Sequence, residues 1–159
     1  MVWRIEVSEK NGFYDAIGES VKHDIREVGF GSRLKEVKAV QVYLIEGDIN
    51  EHDVRKICEH LLIDPITQDY TCSGTAFNEK PYKVVEVAYN PGVMDPVEDS
   101  AKKAITDLGI TVKTIKTAKK YLIKGDLSYG EIHSIAEKIL YNKVIQHIVK
   151  GESTIPAEG

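Results

Sequence analysis

The residues of this chain able to carry chemistry are five histidines, two cysteines and a set of recurrent aspartates. His52 and His60 are two helical turns apart, too far to share a metal without further ligands, and zinc needs three or four close donors. His23, His133 and His147 stand alone in sequence. Cys58 and His60, two residues apart on a helix, face different ways. Cys58 falls on an apolar stripe, as a buried structural thiol does. Cys72 ends a strand beside a linker, with nothing local to activate it. Gly29-Phe30-Gly31-Ser32 lacks the Lys-Ser/Thr ending of a phosphate loop and reads as a helix stop and turn. No serine or cysteine sits in a nucleophile motif. The residues therefore assign no catalytic group, no cofactor site and no metal site.

Lys113, Lys116, Lys119, Lys120 and Lys124 form a basic ribbon. Strand alternation puts Lys116, Lys120 and Lys124 on one face and Lys113 and Lys119 on the other. Such a ribbon could address RNA, but the aromatic stacking pairs expected on an RNA-binding sheet are missing, and nucleic acid is not an expected partner. Asp48 and Asp126 each follow a glycine and precede a helix, and Asp15 and Asp95 each precede another. Turn and capping chemistry accounts for all four.

Those aspartates recur because the chain contains itself twice. Tyr43-Leu44-Ile45-Glu46-Gly47-Asp48 returns as Tyr121-Leu122-Ile123-Lys124-Gly125-Asp126. Upstream, Glu6-Val7, Gly12, Asp15, Ser20 and Gly29 return as Glu86-Val87, Gly92, Asp95, Ser100 and Gly109. Downstream, Leu61-Leu62, Ile66 and Gln68 meet Ile139-Leu140, Val144 and Gln146. The second copy is shorter by two residues between Gly109 and Tyr121. A long repeat present only twice is no solenoid; it is a duplicated small domain with internal pseudo-two-fold symmetry.

Each copy opens with a strand, Val2 to Ser8 or Tyr82 to Tyr89, by its alternating or apolar pattern. A capped helix follows. Asp15 caps the first, whose stripe is Ile17, Val21, Ile25 and Val28, and Gly29 ends it. In the second copy Asp95 is the expected N-cap, Pro96 the first helical residue and Glu98 the partner in a capping box. Its stripe is Val97, Ala101, Ala104, Ile105 and Leu108, ending at Gly109. The β segments Val37–Ile45 and Val112–Ile123 are long for one strand, so two short strands or one bent ribbon is expected in each. A second helix starts at Asn50 or at Ser128, the latter with a capping box to Glu131. A last strand lies around Pro65 to Cys72 and Val144 to Lys150. The unit is β-α-β-β-α-β, an α+β fold with helices on one face of an antiparallel sheet, forming an intramolecular pseudo-dimer. The expected organisation is unit 1–72, linker 73–81, unit 82–150 and a flexible tail 151–159.

Each half alone is near the size at which a core is marginal, so mutual support is expected. No stretch approaches the roughly 20 apolar residues of a membrane span, and the opening Met1-Val2-Trp3-Arg4-Ile5-Glu6 lacks a signal peptide's apolar run. With two cysteines that make no framework, an intracellular, cytoplasmic protein with reduced thiols is expected. The net charge of −4 conceals an asymmetry: Met1 to Ala76 holds nine Lys/Arg against fourteen Asp/Glu, and Lys80 to Gly151 twelve against eight. Opposite signs favour the halves meeting each other or different partners.

Glu36-Val37-Lys38 to Ile45, the closing Leu61-Leu62, and Tyr89-Asn90-Pro91-Gly92-Val93-Met94-Asp95-Pro96 carry a family resemblance. In order and spacing, each half resembles PurS, the small subunit of bacterial and archaeal phosphoribosylformylglycinamidine synthase, over Val2 to about Lys150. The family member is ordinarily one unit that dimerises; the large single-chain synthase begins with a domain similar to a fused pair. The resemblance implies a tandem subunit replacing the dimer, or an N-terminal piece of a longer synthase. It implies purine synthesis, in which the complex converts formylglycinamide ribonucleotide, glutamine and ATP to the formylglycinamidine product. It also implies two partners, the large synthetase subunit and the glutaminase subunit. Between them this component, without catalytic residues, bridges and supports ammonia delivery; a homo-oligomer is also open. The expected partner contacts are the helix entries Gly12–Asp15 and Gly92–Asp95 and the turns Gly47-Asp48 and Gly125-Asp126. Competing readings are a small-molecule regulatory module, an RNA-binding protein and an independent enzyme.

Overall fold

A computed structural model describes residues 2–72 and 82–149. The expected linker, 73–81, and tail, 151–159, fall outside the described residues.

The elements follow the duplication. Copy one contains β1 (Val2–Glu9), α1 (Ala16–Ile25), β2 (Leu34–Glu46), α2 (Glu51–Ile57) and β3 (Gln68–Thr71). Copy two contains β4 (Lys83–Tyr89), α3 (Glu98–Asp107), β5 (Thr114–Gly125), α4 (Tyr129–Ile135) and β6 (Gln146–Ile148). The strand order is β3-β1-β2-β5-β4-β6. The fold is α+β, antiparallel and duplicated. Three helices run on into a wider π-type turn, at Arg26–Phe30, Cys58–Leu62 and Ala136–Leu140. In the first of these Gly29 has φ 104°, a conformation that costs other residues a Cβ clash.

The long β segment of each copy is a single strand, of 13 residues in β2 and 12 in β5. Each does the work of two short ones, because the chain folds into two compact units that divide these strands between them. One unit comprises Met1–Phe13, Gln41–Ala76 and Met94–Ala118; the other comprises Tyr14–Val40, Phe77–Val93 and Lys119–Gly159.

In the first unit β1 pairs antiparallel with the second half of β2, from Val2↔Glu46 to Val7↔Gln41. On its other side β1 pairs with β3, from Glu6↔Thr71 to Glu9↔Gln68. The first half of β5 lies beside β2: Lys113 N–H donates to the Glu46 carbonyl at 2.7 Å, and Gln41 Nε2 to the Ala118 carbonyl at 3.0 Å. The core joins Ile5, Val7, Ile45, Val54 and Ile57 to Ile105, Ile110, Val112 and Ile115. The apolar face of α3, a helix of copy two, is thus buried over the strands of copy one.

The second unit is built the opposite way. Ile25 and Leu34 of copy one share a core with Val85, Val87, Ile123, Ile132 and Leu140 of copy two. β4 pairs antiparallel with β6, from Val87↔Ile148 to Tyr89↔Gln146. The two copies have therefore exchanged their first helices, and Ile25 and Ile105, both fully buried, hold them in place. Burying one such side chain is worth roughly 1.5–3 kcal/mol. Only the middle of each expected stripe is buried: Ile17 is 45 %, Val28 37 % and Val97 40 % exposed.

Helix starts match expectation in three cases. Asp15 accepts from the Gly18 N–H, and Asn50 and Ser128 each form a capping box, with Asp53 and Glu131. The fourth is different. α3 begins at Glu98 with no side-chain cap on its first turn. Asp95 still accepts from the Val97 N–H across Pro96, at 3.0 Å, but Glu98 pairs with Lys116 instead of closing a capping box. A cation on the neighbouring strand outcompetes a backbone N–H for that carboxylate.

Candidate functional site

The four turns and helix entries singled out above fall into two kinds. Gly12 and Gly92 take φ 88° and 86°, which lets the chain turn out of β1 and β4. A few residues on, Asp15 and Asp95 fasten the helix entries to the middle of the long strands. Asp15 Oδ1 accepts from Gly18 N–H at 2.8 Å and its Oδ2 from Ala39 N–H at 2.9 Å. Asp95 accepts from Val97 N–H through Oδ1, and through Oδ2 from both the N–H (2.6 Å) and the hydroxyl (2.8 Å) of Thr117. Asp95 is 3 % exposed. A carboxylate ringed by N–H and O–H donors in this way is used up as an acceptor. Its negative charge, after burial itself, also holds the Tyr43 phenol above its ordinary range. These are structural clips.

Sequence reading missed three partners in the clips: Ala39, Thr117 and Gly18. A Cβ on Gly18 would lie 2.5 Å from Asp15 Oδ2 and 2.6 Å from the Val37 carbonyl oxygen, so α1 approaches β2 through its glycine. Gly18 inside a helical pattern was the available signal. Its counterpart in copy two is Glu98.

The second kind are the turns after the long strands. Gly47 and Asp48 line a shallow cleft together with Glu46, Ile49 and Lys113. Asp48 is exposed, and the helix behind it is capped by Asn50, not by the aspartate. At the equivalent turn, Gly125 allows a close approach: a Cβ there would run into the Arg33 carbonyl oxygen, which accepts from Asp126 N–H at 2.9 Å. Arg33 also meets Glu131 through both guanidinium nitrogens, Nη1 to Oε1 at 3.1 Å. The hydrogen bond to Arg33 is the main cause that holds the Glu131 carboxyl below its usual value.

The structure does not gather the histidines. His133 Nε2 lies 2.7 Å from Glu137, whose carboxyl is lowered chiefly by its hydrogen bond to Lys143. His147 Nδ1 lies 3.0 Å from Asn90 Oδ1. Among the described residues no three His, Cys, Asp or Glu side chains are placed to hold a metal ion. The lysine ribbon is divided: Lys116 pairs with Glu98, Lys113 lies 3.9 Å from Glu46, Lys124 sits 6.0 Å from the centre of the Tyr82 ring, and Lys120 is buried. No helix of the described residues is long and apolar enough to cross a membrane. Cys58 is fully buried, as expected from its stripe, and burial pushes its thiol up to about 12.

A family model for PurS, phosphoribosylformylglycinamidine (FGAM) synthase, matches the chain twice, over residues 2–75 and 83–150. The chain belongs to the PurS family. It is similar to the phosphoribosylformylglycinamidine synthase subunit PurS of Archaeoglobus fulgidus, with 30% identity over 76 residues. That alignment takes in 45% of this chain and 94% of the archaeal protein. The relative is thus one copy long, and this PurS chain carries two. The compact units in space each draw on both copies.

Proposed function

We propose that this chain is a non-catalytic component of phosphoribosylformylglycinamidine synthase in purine biosynthesis, acting in the cytoplasm. In this reading it bridges the ATP-using synthetase part and the glutaminase part and supports delivery of ammonia between them. The observation that carries the proposal is the double family match combined with the exchange of first helices. A single PurS copy cannot bury its own first helix here. Two copies in one chain make a paired scaffold whose assembly does not depend on concentration.

Two of the recurrent acids that could have served as general acids or bases, Asp15 and Asp95, are consumed as clips, which suits a scaffold. Exposed apolar side chains sit beside the expected contact positions. Tyr14 and Met94, at equivalent places in the two helix entries, are 73 % and 78 % exposed; Ile66 and Val144, equivalent again, are 73 % and 82 % exposed. Large apolar groups kept in water at matching positions of both copies fit protein contacts. The helix entries Gly12–Asp15 and Gly92–Asp95 and the turns Gly47-Asp48 and Gly125-Asp126 are the proposed contacts. The charge contrast that would distinguish partners is smaller in space than along the chain. Among the described residues the first unit has eight Lys/Arg against thirteen Asp/Glu, and the second eleven against nine. The acidic unit would therefore take the more basic partner face.

Reconstitution tests the proposal. The chain is mixed with the synthetase and glutaminase components of the same source, and glutamine-dependent product formation is followed alongside co-elution. Activity that requires this chain, while the chain alone is inert, is the expected result. No complex and no stimulation would reduce the relationship to a shared fold, and tight calorimetric binding of an amino acid or nucleotide to the isolated chain would favour a regulatory module.

A further inference from the structure

The two free cysteines lie in one place. Cys58 follows α2, and Cys72 follows β3; both belong to or pack against the apolar cluster of the first unit. Tyr70 of β3 and Cys72, two residues further on, both pack against that cluster. The Tyr70 hydroxyl donates to Glu59 Oε2 at 2.8 Å. Glu59 is the residue after Cys58. The end of β3 that leads into Cys72 is thus fastened to the segment that carries Cys58. Burial first, and the neighbouring Cys72 second, hold the Cys58 thiol above its ordinary range.

We infer that Cys58 and Cys72 form a thiol pair poised for an intramolecular disulfide, which would tie the end of α2 to the end of β3 where copy one gives way to copy two. The pair takes a small-molecule disulfide such as oxidised glutathione. The half-buried Cys72 reacts first. Its thiolate attacks the glutathione S–S bond, which breaks and releases one glutathione thiolate. Cys58 then gives its proton to solvent, attacks the Cys72 sulfur of the mixed disulfide and expels the second glutathione. Two protein thiols are oxidised and one external disulfide is reduced to two thiols. The high protonation of buried Cys58 makes the second step slow, so the reaction is judged at equilibrium.

The test uses the whole chain in a glutathione redox buffer, once folded and once in urea, with free thiols trapped by N-ethylmaleimide and peptides read by mass spectrometry. The expected result is a Cys58–Cys72 peptide whose equilibrium constant against glutathione is at least about tenfold higher in the folded chain, because the fold pre-positions the thiols. The oxidised chain then melts several degrees higher than the reduced one. Cys58→Ala is expected to stop at a mixed disulfide on Cys72. An equilibrium constant no higher folded than in urea, or a dimer linked through Cys72, would overturn the inference.

Discussion

Asp95 holds Thr117 twice, accepting both its backbone N–H and its hydroxyl on one carboxylate oxygen. Thr117 lies near the middle of β5, close to where that strand passes from one compact unit to the other between Ala118 and Lys119. Ala39, held by Asp15 in the same way, stands beside the Val40–Gln41 passage of β2. The clips therefore mark the places where each long strand changes the core that it serves.

Asp95→Ala removes the acceptor of three hydrogen bonds at a buried site. It leaves the Thr117 donors unsatisfied, at a cost on the order of 2–4 kcal/mol. Asp15→Ala, at a half-buried site, costs less, about 1–2 kcal/mol. Urea unfolding of the two variants is expected to rank them in that order; equal losses would count against the clip at Thr117.

Gly18→Ala inverts a familiar rule. In an open helix the change gains up to about 1 kcal/mol. Here the new Cβ meets Asp15 Oδ2 and the Val37 carbonyl at 2.5 and 2.6 Å, so the expected outcome is a loss of roughly 1–3 kcal/mol. A melting temperature equal to or above the parent's would show that α1 can lift from β2 freely.

The exchanged helices predict that neither copy is a stable monomer. Residues 1–75 expressed alone keep β1, β2 and β3 but lose α3 with Ile105 and the first half of β5. Ile105→Ala in the full chain is expected to cost about 2–5 kcal/mol. The separate copies are expected to be unfolded or self-associated, and to recover native circular dichroism and a cooperative melt when mixed. A separate copy that melts cooperatively as a monomer in sedimentation would refute the exchange.

The Arg33–Glu131 pair gives a pH dependence of known sign. Glu131 is held below its unfolded value, so its contribution is present above the ordinary carboxylate range, near about 4.3, and disappears as pH falls through the lowered folded value. Glu131→Gln should therefore melt below the parent at neutral pH and converge with it in acid. A gap that persists unchanged in strong acid would mean that packing, not charge, carries the effect. Because the pair is exposed, salt should also narrow the gap.

Tyr14→Glu and Met94→Glu test the proposed contact surface. Both side chains are largely in water, so the melting temperature should change little, while co-elution with the synthase components should weaken by tenfold or more if each is an anchor. Unchanged co-elution would move the contact elsewhere.

Local order was readable because its causes are local. The duplication shows in residue identities alone, and the strand alternation of Val2–Ser8, the caps at Asp15, Asn50 and Ser128, and the glycine stops at Gly29 and Gly109 depend on residues within a few positions of one another. So did the burial of Cys58 on its helical stripe. Tertiary structure alone decided which strands each first helix covers, because Ile25 and Ile105 have the same apolar chemistry and fit either core by composition. It also decided that β2 and β5 stay continuous, since their midpoints are held by aspartates 24 and 22 residues away. Glu98 chose Lys116 over the capping box for the same reason: a strong charged partner arrived from a distant strand, and no spacing in the sequence announces it.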